Sequence, residues 1–144
     1  MKIATGWLFS FLALAVLAAA SHASAQAGDE EGRAAAAAQA WVLLMDSGRF
    51  AETWDGASAG FRGAVGRDAW AKQAAAVRGP LGKVNARKAV EVTTQKNPPG
   101  APPGDYVIVA FETDFADSAP RRRETVSTIR EPDGNWRVIG YFIR

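Results

Sequence analysis

Asp46, Tyr106, Glu112, Asp114 and Tyr141 have the side-chain types that acid–base chemistry needs. A carboxylate within reach of a phenol can take a proton from a small substrate while the phenol donates one, and neither metal nor thiol is required. Glu112 and Asp114 are two residues apart and share a strand face with Tyr106. Tyr141 stands among apolar neighbours near the end of the chain, where a buried hydroxyl needs a partner or serves a pocket. Asp46, like Asp55, falls near a helix end. Each also has a plainer reading: a helix-end cap for the aspartates, solvated strand residues for Glu112 and Asp114, and a core or interface tyrosine for Tyr141.

The missing residue types narrow the chemistry further. The chain has no cysteine, and its one histidine, His22, lies in the N-terminal segment. Disulfides, thiol nucleophiles, serine–histidine triads and the usual nitrogen and sulfur ligands of zinc, copper or iron are therefore excluded from the rest of the chain. An all-oxygen calcium or magnesium site would need an acidic loop, and none has that run. No cofactor and no metal are expected.

Residues 1–25 read as a cleavable export signal. Met1 and Lys2 give a short positive start, Ile3 to Ala20 is almost wholly apolar, and Ala23 and Ala25 are the small residues of a cleavage site before Gln26. An uncleaved anchor is the alternative, since about eighteen apolar residues approach the length of a membrane span. A lipid anchor on cysteine is excluded. Loss of Lys2 lowers the formal charge from +2 by one, so the pI of 9.2 overstates the basic character. A nearly neutral domain gives no electrostatic case for binding nucleic acid or an anionic membrane. The remaining span, 26–144, is long enough for one domain that buries about 65% of its unfolded surface.

The elements that must position these residues follow from periodicity. Gln26–Gly32 reads as a polar lead with Asp29, Glu30 and Glu31 suited to a helix start. Ala34, Ala37, Ala38, Trp41, Leu44 and Met45 stripe a helix from Arg33 to Ser47, capped by Gly48. A short helix is expected around Phe50–Asp55, and the glycines of Ser58–Gly66 suggest a turn or broken helical piece. A third helix, Arg67–Arg78, carries Trp70, Ala74 and Val77 and stops at Gly79-Pro80. After Gly82 the period becomes two. Strands are expected from Val84 to Thr94, Asp105 to Phe115, Arg123 to Glu131 and Trp136 to Ile143, separated by the proline loop 97–104 and turns at 117–120 and 132–135. In the last strand Trp136, Val138, Gly140 and Phe142 share one face and Ile139, Tyr141 and Ile143 the other, with Gly140 suggesting a bulge. Both faces are apolar, which predicts a strand covered twice or lining a cavity. The result is an α+β domain: about three N-terminal helices packed on a curved four-stranded antiparallel sheet. Trp41, Trp54, Trp70 and Trp136 read as core. Arg121-Arg122-Arg123 reads as solvated protection of a strand edge, with anion binding as its alternative.

The segments AQAWVLLMDSGRFAETWDGAS, FRGAV-GRDAW, VRGPLG and ETVSTIREPDGNWRVIGYFIR resemble the bacterial exported family catalogued as domain of unknown function 4019. The resemblance covers Ala34 to Arg144, and its spaced tryptophans and WRVIGYFIR ending are the specific parts. It implies no activity and no catalytic residue. The element order is also similar to the cone-shaped, cystatin-like folds typified by nuclear transport factor two and ketosteroid isomerase, which host both enzymes and binding modules. The expectation is a non-catalytic binding or interaction module of the cell envelope, recognising a protein partner or a small apolar ligand. A small pocket enzyme of isomerase or hydrolase type, using a carboxylate and a tyrosine, and a structural homodimer are the alternatives.

Overall fold

The computed structural model describes residues 12–144, with side-chain environments from residue 24 onward. The first helix, α1, spans Leu12–Asp46, longer than the stripe predicts. The polar lead Gln26–Gly32 and the expected cut after Ala25 both fall inside it. Gly28 and Gly32 each weaken a helix by about 1 kcal/mol, but Arg33 pairs back to Asp29 and Glu30 across one turn. The positive start and the first part of the apolar run, residues 1–11, lie outside the described residues. Among the described residues no helix is long and apolar enough to cross a membrane.

Ala34, Ala38, Trp41, Val42 and Met45 form the buried face of α1. Gly48, at φ 71°, ends it: Gly48 N–H donates to Met45 and Arg49 N–H to Leu44, closing the carbonyls left free at a helix C-terminus. Then follow α2 (Phe50–Asp55), α3 (Ala59–Ala64) and α4 (Arg67–Arg78). The glycine-rich piece is thus a true helical turn, because Ser58 Oγ accepts the Phe61 N–H at 3.1 Å and caps it. A 3-10 turn, Gly79–Leu81, leads into the sheet.

The strands β1 (Val84–Lys96), β2 (Asp105–Phe115), β3 (Ser118–Arg130) and β4 (Trp136–Ile143) form an antiparallel meander in sequence order. The β2–β3 connection is tighter than expected and β3 starts earlier. Pro120, which has no N–H to give, sits at the break in register between Thr113 and Phe115. The helices cover one face of β2, β3 and β4. The core between them contains Trp41, Met45, Val107, Val109, Phe111, Val126 and Val138.

In β4 the face assignment from simple alternation is wrong beyond Val138. The register with β3 shifts between Ser127, opposite Gly140, and Thr128, opposite Val138. The extra residue is a bulge, as Gly140 suggested, and it reverses the phase. Trp136, Val138, Tyr141 and Ile143 therefore share the helix side, while Phe142 is 62% exposed on the other. The strand is covered on one face rather than two, and it lines a hollow, the other form the expectation took.

Trp41, Trp54, Trp70 and Trp136 all bond within the domain. Trp41 lies 5.9 Å from Trp70 and 5.2 Å from Tyr141, ring to ring. Among the described residues each indole N–H finds an acceptor: Trp41 the Thr53 carbonyl, Trp54 the Val65 carbonyl, Trp70 the Thr53 hydroxyl and Trp136 the Glu30 carboxylate. The arginine run is dispersed: Arg122 donates to Ser118, Arg123 pairs with Glu91 and Arg121 is exposed.

Candidate functional site

Of the chemistry-bearing residues picked from the sequence, the fold brings Asp46 and Tyr141 together and keeps the rest away. Glu112 is exposed and Asp114 half-buried on the face of β2 opposite the helices. Tyr106, on that same face, is covered by the proline loop and donates its hydroxyl to the Pro102 carbonyl at 2.7 Å. Its burial raises the phenol's pKa. No paired-carboxylate site forms on β2.

Asp46 ends α1 at the helix side of the sheet, where three elements send charged groups inward. Arg87 of β1 clasps it with both terminal nitrogens, at 2.5 and 2.9 Å, and Arg78, the last residue of α4, donates to it at 2.9 Å. The Arg87 Nε reaches Glu124 of β3 at 2.8 Å. Glu124 is fully buried and also accepts the hydroxyls of Thr113 and of Tyr141, the latter at 2.5 Å. Six elements, α1, α4 and all four strands, thus meet in one network. The guanidinium of Arg78 lies 4.4 Å above the Phe115 ring, a favourable placement for a cation. Its Nε and Nη1 are buried with no hydrogen-bond partner among the described residues.

Two groups of this network, Arg87 and Tyr141, have displaced pKa values. Burial works against the charge on Arg87, but hydrogen bonds to Asp46 and the charges of Glu124 and Asp46 outweigh it, and its pKa is raised. Tyr141 is raised far above its ordinary value, first by burial and then by the adjacent Glu124 charge. The phenol stays a donor, committed to a carboxylate that two other side chains already bind. Asp46, Glu124, Arg87 and Tyr141 are thus bound to one another as an internal clamp between the helices and the sheet.

Glu124 and Arg87 were not singled out as sites by sequence. Glu124 keeps the period of Val126 and Thr128, both buried, so a carboxylate in phase with a core face was a usable signal. Arg87 gave none. Its inward direction depends on pairing with Thr113 and on the irregularities in β1 at Val84/Ala86 and Ala89/Glu91.

Beside the network, the space between α4 and β4 is open. Two adjoining hollows of about 370 and 430 Å3 share Trp70, Gln73, Tyr141 and Phe142. Val77 and Ile143 extend the first and Ile139 the second. Three consecutive residues of β4, Tyr141 to Ile143, line the same hollow, so it follows the strand's edge rather than one face. Arg123 and Arg144 exchange both backbone hydrogen bonds. By alternation, the N–H and C=O groups of Ile143 and Tyr141 then point away from β3, off the sheet. Val77, expected in the core, is 45% exposed here, because Arg78 takes the inward position through its bond to Asp46. A separate cleft of about 520 Å3 lies beside the middle of α1, lined by Ala27, Glu30, Glu31, Lys96, Tyr106 and Trp136 among others.

The fold and this arrangement define an α+β domain with helices on one face of an open antiparallel sheet. The family model described as a protein of unknown function (DUF4019) matches residues 37–141, and the chain belongs to that family. No curated protein matches the chain.

Proposed function

We propose that the chain is an exported, non-catalytic binding module of the bacterial cell envelope, and that it takes an extended, apolar segment of a partner protein along the edge of β4. The observation that carries this reading is the groove between α4 and β4. One wall is apolar helix surface with Trp70 and Val77, and the other is a strand edge whose Tyr141 and Ile143 backbone groups face outward. An added strand would satisfy those groups while its alternate side chains enter the hollows. The mutual engagement of Asp46, Arg87, Glu124 and Tyr141 supports binding over turnover. Export itself rests on the signal-like residues 1–25.

The test is a selection of displayed random peptides on the mature domain, followed by titration of the enriched peptides. Apolar, extended peptides are expected, with affinity at least tenfold weaker for Val77→Asp and Phe142→Asp. The reading is sunk by an empty selection, or by binding indifferent to both changes. Tyr141 at 2.5 Å from Glu124 is the one observation favouring the enzyme alternative. Small-molecule turnover abolished by Tyr141→Phe in a folded protein would establish that alternative instead.

A further inference from the structure

We infer that the mature chain begins with a pyroglutamate formed from Gln26. The inference rests on cleavage between Ala25 and Gln26, part of the function proposed above. That cut leaves an N-terminal glutamine, whose new α-amine can attack its own side-chain amide. The amine nitrogen bonds to Cδ and closes a five-membered lactam. The Cδ–Nε2 bond breaks, and the side-chain nitrogen leaves as ammonia with the proton released by the amine. No oxidant, reductant or co-reactant is needed.

The surroundings of Gln26 permit the reaction. Residues 24–29 are exposed, and the Gln26 side chain makes no hydrogen bond or ion pair among the described residues. A Cβ placed on Gly28 would meet nothing within 4 Å, so there is open space beside this turn of α1. Once the preceding residues are removed, the Gln26 N–H loses its helical acceptor and the residue is free to leave helical geometry.

The charges around it favour the product. A free ammonium would sit at the positive end of the α1 dipole, which is unfavourable, and one turn from Glu30. Glu30 is already engaged: Trp136 donates to it at 2.8 Å, Arg33 pairs with it, and Arg130 lies 3.6 Å away. A lactam removes the terminal charge. Glu30 is then left to these donors at the mouth of the 520 Å3 cleft, beside Ala27 and Glu31.

The experiment is intact mass and N-terminal sequencing of the protein exported by a bacterial host from the full-length chain. The expected mass is that of residues 26–144 less one ammonia, with sequencing blocked until a pyroglutamyl peptidase removes the lactam. Gln26→Ala should restore a readable N-terminus at full mass. A Gln26 start that is readable and at full mass overturns the lactam and leaves the cleavage reading standing. A chain beginning at any other residue overturns both.

Discussion

Glu124 is the residue on which the buried network turns. It is fully enclosed and accepts from Arg87, Thr113 and Tyr141. Replacing it by glutamine keeps the shape but leaves Arg87 with one carboxylate instead of two. Breaking a buried ion pair from one side is strongly destabilising, and we expect Glu124→Gln to lower the unfolding free energy by about 3 kcal/mol in urea denaturation. Tyr141→Phe removes one hydroxyl from the same carboxylate and should lower it by about 1.5 kcal/mol. The two changes should not add, since they share a partner. The phenol also sets a pH dependence. Its folded pKa is raised above the unfolded value of about 10, so the folded chain keeps a proton that the unfolded chain releases. That stabilisation is complete below pH 10 and is lost as pH rises beyond it, at up to about 1.4 kcal/mol per pH unit. Urea denaturation from pH 9 to 11 should show this fall in the native protein and a shallower one in Tyr141→Phe. Sequence pointed to Asp46 and Tyr141 as separate candidates. Their partners Arg87 and Glu124 were missed because a side chain's neighbours across strands depend on register, which no single segment encodes.

At the scale of elements, local signals were strong wherever backbone geometry is set locally. The Gly48 cap and the Gly79-Pro80 stop each depend on a few adjacent residues. Gly134 is another such position. At φ 81° it closes the β3–β4 turn by donating to the Glu131 carbonyl, and Gly134→Ala should lower stability by about 1 kcal/mol, measured by thermal unfolding. The groove was not legible in the same way. Alternation put Tyr141 and Ile143 away from Val138, and only the bulge beside Gly140 returns them to the helix side. Val77 fitted the apolar stripe of α4, yet Arg78, bonded to Asp46, is the residue buried there, and Val77 borders the groove. Because Val77 and Phe142 are both well exposed, aspartate at either site should leave the thermal midpoint within a few degrees of the native value while weakening peptide binding.

The whole molecule joins its helices and sheet through one core and one buried polar network. With six elements meeting at Asp46, Arg87 and Glu124, partial unfolding would strand buried charge, and that penalty opposes stable intermediates. We expect fluorescence of the tryptophans and far-ultraviolet circular dichroism to report coincident urea transitions; separated midpoints would show that the helices and the sheet unfold apart. The sheet's other face carries Glu112, Asp114, the Glu91–Arg123 pair and Thr125, and its one strongly exposed large apolar side chain is Phe142. Such a face suits a monomer, and sedimentation of the mature domain should give one at high concentration; a concentration-dependent dimer would favour the homodimer alternative.

The sequence by itself determined the class of fold, the order of its elements, the exclusion of thiol and histidine chemistry beyond the N-terminal segment, and the family resemblance. Composition, period and capping are properties of neighbouring residues, so they can be read along the chain. Only the tertiary structure decided which polar residues meet. Asp46 and Arg87 are 41 positions apart, and Arg87 and Glu124 are 37 apart. Their contact follows from strand register, the irregularities in β1 and the placing of α1 on the sheet, and those are fixed by how the core packs rather than by any local run of residues.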